Sequence, residues 1–398
     1  MSGLGGCASL TADGGMGPVR EMTLTALQAD AVKISTDSDS VAAADRVDAL
    51  LKRPLTPASA VQIALLNNHG LQASYNDLGI AEAQFVQASL PPTPRFGFNQ
   101  LLGDFEVEIT RQLAANILAL ATLPARSEIA RDQFRAAQIQ AARATLRLAS
   151  DTRRQFSRTV AANEQVARLT RRAEAGSPPD TDLVQARARL GVERERLNRQ
   201  LGLWDDGGYR LPAGLPVVPR SIRSMREVEA QALERRLDLQ VGKLELGALA
   251  KSLGLTKATR FVTDLELAAQ NRYKSTDKYS TDSVSKTKTI TEGFAATIEI
   301  PLFDFGGARV AEAEQRYLRA ANRLAELAVN ARSEVREAYY AYRAAFVVAG
   351  LIRNRGASQP LEEVDDIAAR RDFWIASVAL DAALAGARTR SPDPAEAL

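Results

Sequence analysis

Histidine and cysteine are almost missing from this chain, which has one of each, His69 and Cys7. No intrachain disulfide can form, and the usual His/Cys zinc sites are excluded. A Ser-His or Cys-His catalytic group is excluded unless it is built on those single residues. Long apolar runs are also lacking. No stretch approaches the roughly 18–20 residues that a membrane-spanning helix needs, and the mean hydropathy is −0.18. A polytopic helical membrane protein is therefore ruled out. Neither sign of charge dominates, with 51 basic and 48 acidic residues. That balance gives no field of the size nucleic acid requires, so no nucleic-acid partner is expected. No GxxxxGK[ST] phosphate loop occurs. With no clustered acid–base group either, neither an enzyme nor a cofactor or metal site is expected.

What is present is arginine, alanine and glutamate in helical order. Lysines number nine, and none falls between Gln112 and Asp238. In runs such as Ala125–Ala144 the arginines read as solvated helix faces supported by side-chain pairs three and four apart. They lack the interleaved aromatics of a single-strand binder.

The chain opens Leu4-Gly5-Gly6-Cys7, a lipobox-like order in which small residues precede a cysteine that would carry lipid, palmitate included. Only six residues precede Cys7, too few for a secretory signal. The natural start is expected upstream, or the export signal is gone. Residues 1–53 as a whole read as this start followed by an extended polar tether.

A first structural unit covers residues 54–204. Thr56-Pro57 starts a helix that runs to Pro91-Pro92, with His69 at a polar kink. Residues 95–110 alternate at period two and predict a hairpin turning at Leu102-Gly103-Asp104. A long helix is expected over 118–175, with two adjacent seams, Phe134-Ala137-Ala141-Ala144-Leu148 and Ile139-Ala142-Leu146-Ala149. After a turn at Gly176–Asp182, a return helix spans 180–203. Residues 205–223 form an irregular connector. The plan then repeats over 224–388: a helix, strands at 259–268 and 290–300, a polar loop between them, a long helix at 307–349 and a last helix at 361–385. Residues 389–398 read as a disordered tail. Local residues keep the register of this duplication. Ala64-Leu65 and Leu71-Gln72 match Ala232-Leu233 and Leu239-Gln240 at an offset of 168, and Arg126, Asp151 and Phe156 match Arg309, Glu334 and Tyr339 at 183.

Four strands of about ten residues are long enough to cross a bilayer when tilted. They are too few to close a barrel, since the smallest have about eight, and an open edge in lipid strands backbone polar groups. If these strands enter a membrane, copies of the chain must complete a shared cylinder. The alternative is a soluble sheet packed on helices, as in a periplasmic coiled-coil adaptor or scaffold without channel activity. The long helix, at roughly 85 Å, far exceeds the globular mean.

Several stretches resemble the TolC-like outer-membrane efflux protein family, the exit component of tripartite efflux pumps. They are Leu-Pro-Pro-Thr-Pro-Arg-Phe-Gly-Phe (90–98), Glu174-Ala-Gly176, Leu197-Asn-Arg-Gln-Leu-Gly-Leu-Trp204, Ile300-Pro-Leu-Phe-Asp-Phe-Gly-Gly307 and Ala331-Arg-Ser-Glu-Val-Arg-Glu-Ala-Tyr339. The resemblance implies a mainly α fold with a small β part. It implies a homotrimer whose twelve-stranded β-barrel sits in outer-membrane lipid and continues as a periplasmic α-helical barrel. The implied partners are a periplasmic adaptor protein and an inner-membrane efflux transporter, and the implied activity is passive conduction to the outside. Many family members carry an N-terminal lipid, which fits Cys7. The family's long second helical excursion is shortened here, between Ala349 and Arg371.

On a barrel, Asp104, Glu106, Glu108, Asp264 and Glu266 would line an acidic lumen. Phe105, Val107, Ile109, Phe261, Leu265, Leu267, Phe294 and Ile298 would face lipid. Glu292 falls on the apolar side, which suits only a membrane edge. The same alternation fits the solvent face of a soluble sheet. Gly176, Asp180 and Asp182 are the candidate adaptor contact, in a turn that an ordinary helical hairpin would also need.

Overall fold

Backbone pairing turns the alternating segments into one sheet. In a computed structural model that describes residues 9–174, 181–205, 208–225, 228, 236–280, 283–355 and 363–387, the strands are β1 (Arg95–Gly103), β2 (Glu106–Asn116), β3 (Asp264–Ser280) and β4 (Ser283–Glu299). They lie in sequence order and are antiparallel throughout, with Gly103 opposite Glu106, Glu106 opposite Thr276, and Asp264 opposite Glu299. β1 and β4 are the two edges.

The helices are α1 (Gly17–Leu27), α2 (Asp37–Leu51), α3 (Pro57–Asn67), α4 (His69–Ser89), α5 (Ile117–Ala121), α6 (Leu123–Glu174), α7 (Thr181–Leu201), α8 (Leu237–Ala258), α9 (Gly307–Arg355) and α10 (Glu363–Ala385). The chain divides into two compact units. Among the described residues, one holds residues 9–10, 83–133 and 245–321, and the other those within 11–82, 134–244 and 322–387.

The first unit contains the sheet and the helix segments next to it in sequence. The polar segment expected to be a loop over 271–289 is mostly strand, because β3 and β4 each run 17 residues. Alternating Ser285, Thr287, Thr289 and Thr291 suit a pleated surface. Conversely, the strand expected to begin at Thr259 starts only at Asp264, after α8 has carried on to Ala258. The turn before α9 is tightly built. Phe305 and Gly306 both take positive φ, and a Cβ on Gly306 would lie 2.4 Å from the Arg260 carbonyl oxygen. The Asp304 carboxylate accepts the Gly306 and Ala308 amides at 2.9 and 3.1 Å, which holds its pKa below the ordinary value.

The second unit is helical. The expected N-terminal tether is instead partly helical: α1 and α2 form over residues 17–27 and 37–51. Thr36 and Asp39 make a capping box that nucleates α2, and Met16 and Val19 enter the core with Tyr75 and Ala142. The helix expected from Thr56 breaks at Asn68, whose β-region backbone separates α3 from α4. Residues 208–223 are irregular and are pinned by polar contacts. Glu164 accepts the Leu215 amide at 3.1 Å and an Arg370 guanidinium nitrogen at 2.7 Å, and Trp374 donates to the Pro216 carbonyl at 3.0 Å.

The duplication is visible in side-chain detail. α7 and α10 each end in a left-handed glycine, Gly202 at φ +70° and Gly386 at φ +67°. In each case the next residue's amide reaches back to the helix: Leu203 to Asn198 and Ala387 to Ala382, both at 2.9 Å. In the first repeat Asn68 donates to the Gln200 carbonyl. In the second, Arg236 donates to the Ala383 carbonyl. The offset of 168 carries Asn68 onto Arg236, and the carbonyls they reach lie two and three residues before the glycines that end α7 and α10. The chemistry differs, however, because Arg236 is buried and also ion-paired to Asp238 at 2.6 Å and Glu334 at 2.8 Å.

Candidate membrane channel surface

Register decides which side chains share a face. Paired residues project to the same side, so one face carries Glu106, Glu108, Thr110 and Gln112 of β2 with Thr276, Lys274, Arg272 and Gln270 of β3. Asp264 and Glu266 lie on this face with Glu299 and Thr297. It is polar almost throughout. The opposite face carries Val107, Ile109 and Leu113 with Leu265, Leu267 and Tyr273, and Ile290, Phe294 and Ile298 follow on β4. Phe294 is 91% exposed and Phe96 81%.

Glu106, Glu108, Asp264 and Glu266 are thus brought to one face, and Val107, Ile109, Leu265, Leu267, Phe294 and Ile298 to the other. Three expected positions fall off the strands. Asp104 and Phe105 form the turn between β1 and β2, where the Phe105 carbonyl accepts the Asp277 amide at 2.8 Å. Phe261 sits in the turn before β3 with the Arg260 guanidinium 4.7 Å over its ring. The strand begins later than the alternation alone suggests, because α8 continues to Ala258.

Three of the acids on the polar face, Glu106, Glu108 and Glu266, are charge-compensated, whereas Asp264 meets only an amide and stands opposite Glu299. Lys274 meets Glu106 at 2.6 Å and Arg272 meets Glu108 at 3.1 Å. Arg95 pairs with Glu266, and Asn116 donates to Asp264. Arg272 and Lys274 were missed because they lie in the segment read as loop. The period-two threonines of β4 were the available signal.

Asp182 is exposed in the first turn of α7. Gly176, Asp180 and Cys7 lie outside the described residues, as does the expected tail at 389–398. Among the described residues no helix is long and apolar enough to cross a membrane, and no group of three or more His, Cys, Asp or Glu is arranged to hold a metal ion.

A four-stranded sheet with one polar and one apolar face, joined in sequence to duplicated long helices, is the protomer fold of outer-membrane channels. Residues 229–346 match the outer membrane efflux protein family model, so the resemblance read from the sequence is shown. CusC, described in its structural study by conformational changes accompanying folding and transmembrane channel formation, is 17% identical, with a TM-score of 0.60 over 86% of this chain and 92% of that one. The open-state MtrE outer membrane channel of Neisseria gonorrhoeae is 16% identical, with a TM-score of 0.57 over 86% and 90%. The outer membrane protein VceC of Vibrio cholerae is 15% identical, with a TM-score of 0.54 over 83% and 96%. No curated protein matches the chain.

Proposed function

We propose that this protein is the outer-membrane exit duct of a tripartite efflux system. Three copies pair β4 of one with β1 of the next and close a twelve-stranded barrel. The polar face lines the lumen, and the apolar face meets outer-membrane lipid. The helical unit extends into the periplasm, where the α6–α7 turn region, including Asp182, meets a periplasmic adaptor that links the duct to an inner-membrane transporter. Cys7 carries the lipid anchor. Substrates pass without chemistry at the duct.

The observation that carries this reading is the sheet itself: four strands, two unpaired edges, and opposite polarities on its two faces. In lipid an unpaired edge costs several kcal/mol for each unsatisfied group, and pairing with a sister copy removes that cost. The ion pairs of Glu106, Glu108 and Glu266 leave most of the proposed lumen without net charge, which fits a duct that passes cargo of either sign.

The test is the mass of the purified protein in mild detergent together with planar-bilayer recording. A trimer with stable ion conductance is expected. A monomer that stays soluble without detergent and conducts nothing would overturn the proposal.

A further inference from the structure

Away from the Ser275–Lys288 and Asp277–Lys286 pairs near the end of β3, one transverse row of the apolar sheet face breaks its pattern. Register aligns Phe98, Arg111, Asn271 and Glu292 across the four strands. The neighbouring rows are Gln100–Ile109–Tyr273–Ile290 on one side and Phe96–Leu113–Ala269–Phe294 on the other. A cation, an amide and an acid therefore stand side by side among aliphatic and aromatic residues. Asn271 donates to the Glu292 carboxylate at 3.4 Å. Arg111 makes no ion pair with any described residue, although Glu106, Glu108 and Glu266 of the opposite face are all ion-paired. Glu292 stands two strands from Arg111, about 10 Å away at the backbone, too far for a direct pair to be the default arrangement.

The row ends a shallow groove of about 440 Å³ that runs onto the apolar residues. Phe96 and Phe294 flank the groove, and Leu113 and Ala269 line it between them. An apolar slot ending in one fixed cation and one fixed anion, with an amide between them, has the pattern of an amphiphile with a zwitterionic head. A guanidinium suits a phosphate, because its planar fork offers several donors at once. A carboxylate suits an ammonium. Large aromatics with an apolar body belong where acyl chain gives way to headgroup.

We propose that the Phe96–Phe294 groove binds a zwitterionic phospholipid of the phosphoethanolamine type. Arg111 takes the phosphate, Glu292 and Asn271 take the ammonium, and an acyl chain lies along Leu113 between the two phenylalanines. The inference rests on the reading that this face meets lipid, and it adds a specific headgroup and a specific row. An unmatched arginine facing hydrocarbon is destabilising, the more so the nearer it lies to the bilayer midplane. A bound headgroup supplies the missing counter-charge at this row.

The experiment is native mass spectrometry of the full-length protein released from vesicles of phosphatidylethanolamine, phosphatidylglycerol or phosphatidylcholine. Each preparation is also recorded for conductance. Retention of phosphatidylethanolamine above the other two is expected. Arg111→Gln should lower retention of phosphatidylethanolamine and phosphatidylglycerol alike by at least about tenfold, the loss of one charge-assisted contact, and Arg111→Lys should restore most of it. Glu292→Gln should abolish only the preference for phosphatidylethanolamine over phosphatidylglycerol. Lys288→Gln, on the same face but outside the row, should change nothing. Equal retention of the three lipids by a conducting protein would overturn the lipid site and leave the channel standing. So would equal retention by wild type and Arg111→Gln, or binding of soluble phosphoethanolamine as tight as that of the lipid. Absence of both conductance and any bound lipid would overturn the membrane reading beneath it.

Discussion

Tyr75 shows how a single buried hydroxyl writes a pH dependence into the helical unit. It is fully buried in α4 and bonds the Thr145 hydroxyl at 2.9 Å. Burial pushes its pKa up to about 12, against a smaller opposing effect of the Thr145 bond. The unfolded chain loses this proton near pH 10 and the folded chain only near 12, so the folded state holds more protons between those values. Stability from this group is therefore fully present below about pH 10 and is lost as pH rises from there to about 12. Thermal melts in detergent should show that alkaline decline, and Tyr75→Phe should remove it. At neutral pH the same substitution should cost about 1 kcal/mol, one net hydrogen bond, because the Thr145 hydroxyl keeps its bond to the Ala141 carbonyl. An unchanged alkaline slope in the variant would exclude Tyr75 as its source.

Arg236 is the residue at which the two repeats diverge most. A neutral asparagine makes the equivalent contact in the first repeat, where a single amide bond is enough. In the second, the guanidinium must satisfy two carbonyls and two carboxylates at once. Desolvation, the largest influence, lowers its pKa. The bonds to Asp238 and Glu334 and their charges outweigh it, so the net direction is upward.

At the scale of elements, one glycine inside α7 and one just past its end have opposite roles. Gly191 lies in the helix interior, and a Cβ there would meet nothing within 4 Å. Gly202 follows the helix end at φ +70°, and a Cβ there would lie 2.4 Å from the Asn67 carbonyl oxygen. Gly191→Ala should raise stability by about 0.5–1 kcal/mol by reducing backbone freedom in the unfolded chain. Gly202→Ala should lower it by more than about 1–2 kcal/mol, the left-handed penalty alone, because the α3–α4 break must also move. Paired melts of the two variants check both signs. Equal effects would mean that the Gly202 packing does not hold. Much of this was legible beforehand: the Leu-Gly-Leu-Trp helix end and its partner helix could be read from spacing. The polar run Asn67-Asn68-His69-Gly70 could be read as a kink, but not as a full break, because what rewards stopping there is the contact of Asn67 and Asn68 with the Leu201, Gly202 and Gln200 carbonyls.

For the whole molecule, the edges β1 and β4 carry the consequence. On the proposed barrel these strands meet between copies, so their residues should cross-link in trans. In a Cys7→Ser background, a cysteine at Asn99 combined in turn with one at Thr291, Ala295 or Glu299 samples three registers on the polar face. At least one combination should give dimer and trimer bands under oxidation that disappear on reduction. Monomer alone in all three, beside a conducting preparation, would argue against β1–β4 closure.

The sequence by itself determined the two faces of the sheet, the duplicated order of elements and the helix start at Thr56. These follow from local rules, namely side-chain period, capping groups and composition. Tertiary structure alone decided how far the second hairpin extends, that Arg272 and Lys274 neutralise Glu108 and Glu106, and that Arg111, Asn271 and Glu292 stand in one row. A serine, threonine and lysine segment carries no burial signal of its own. It becomes strand because a partner strand takes up its backbone hydrogen bonds, and the register of that pairing chooses which distant charges meet.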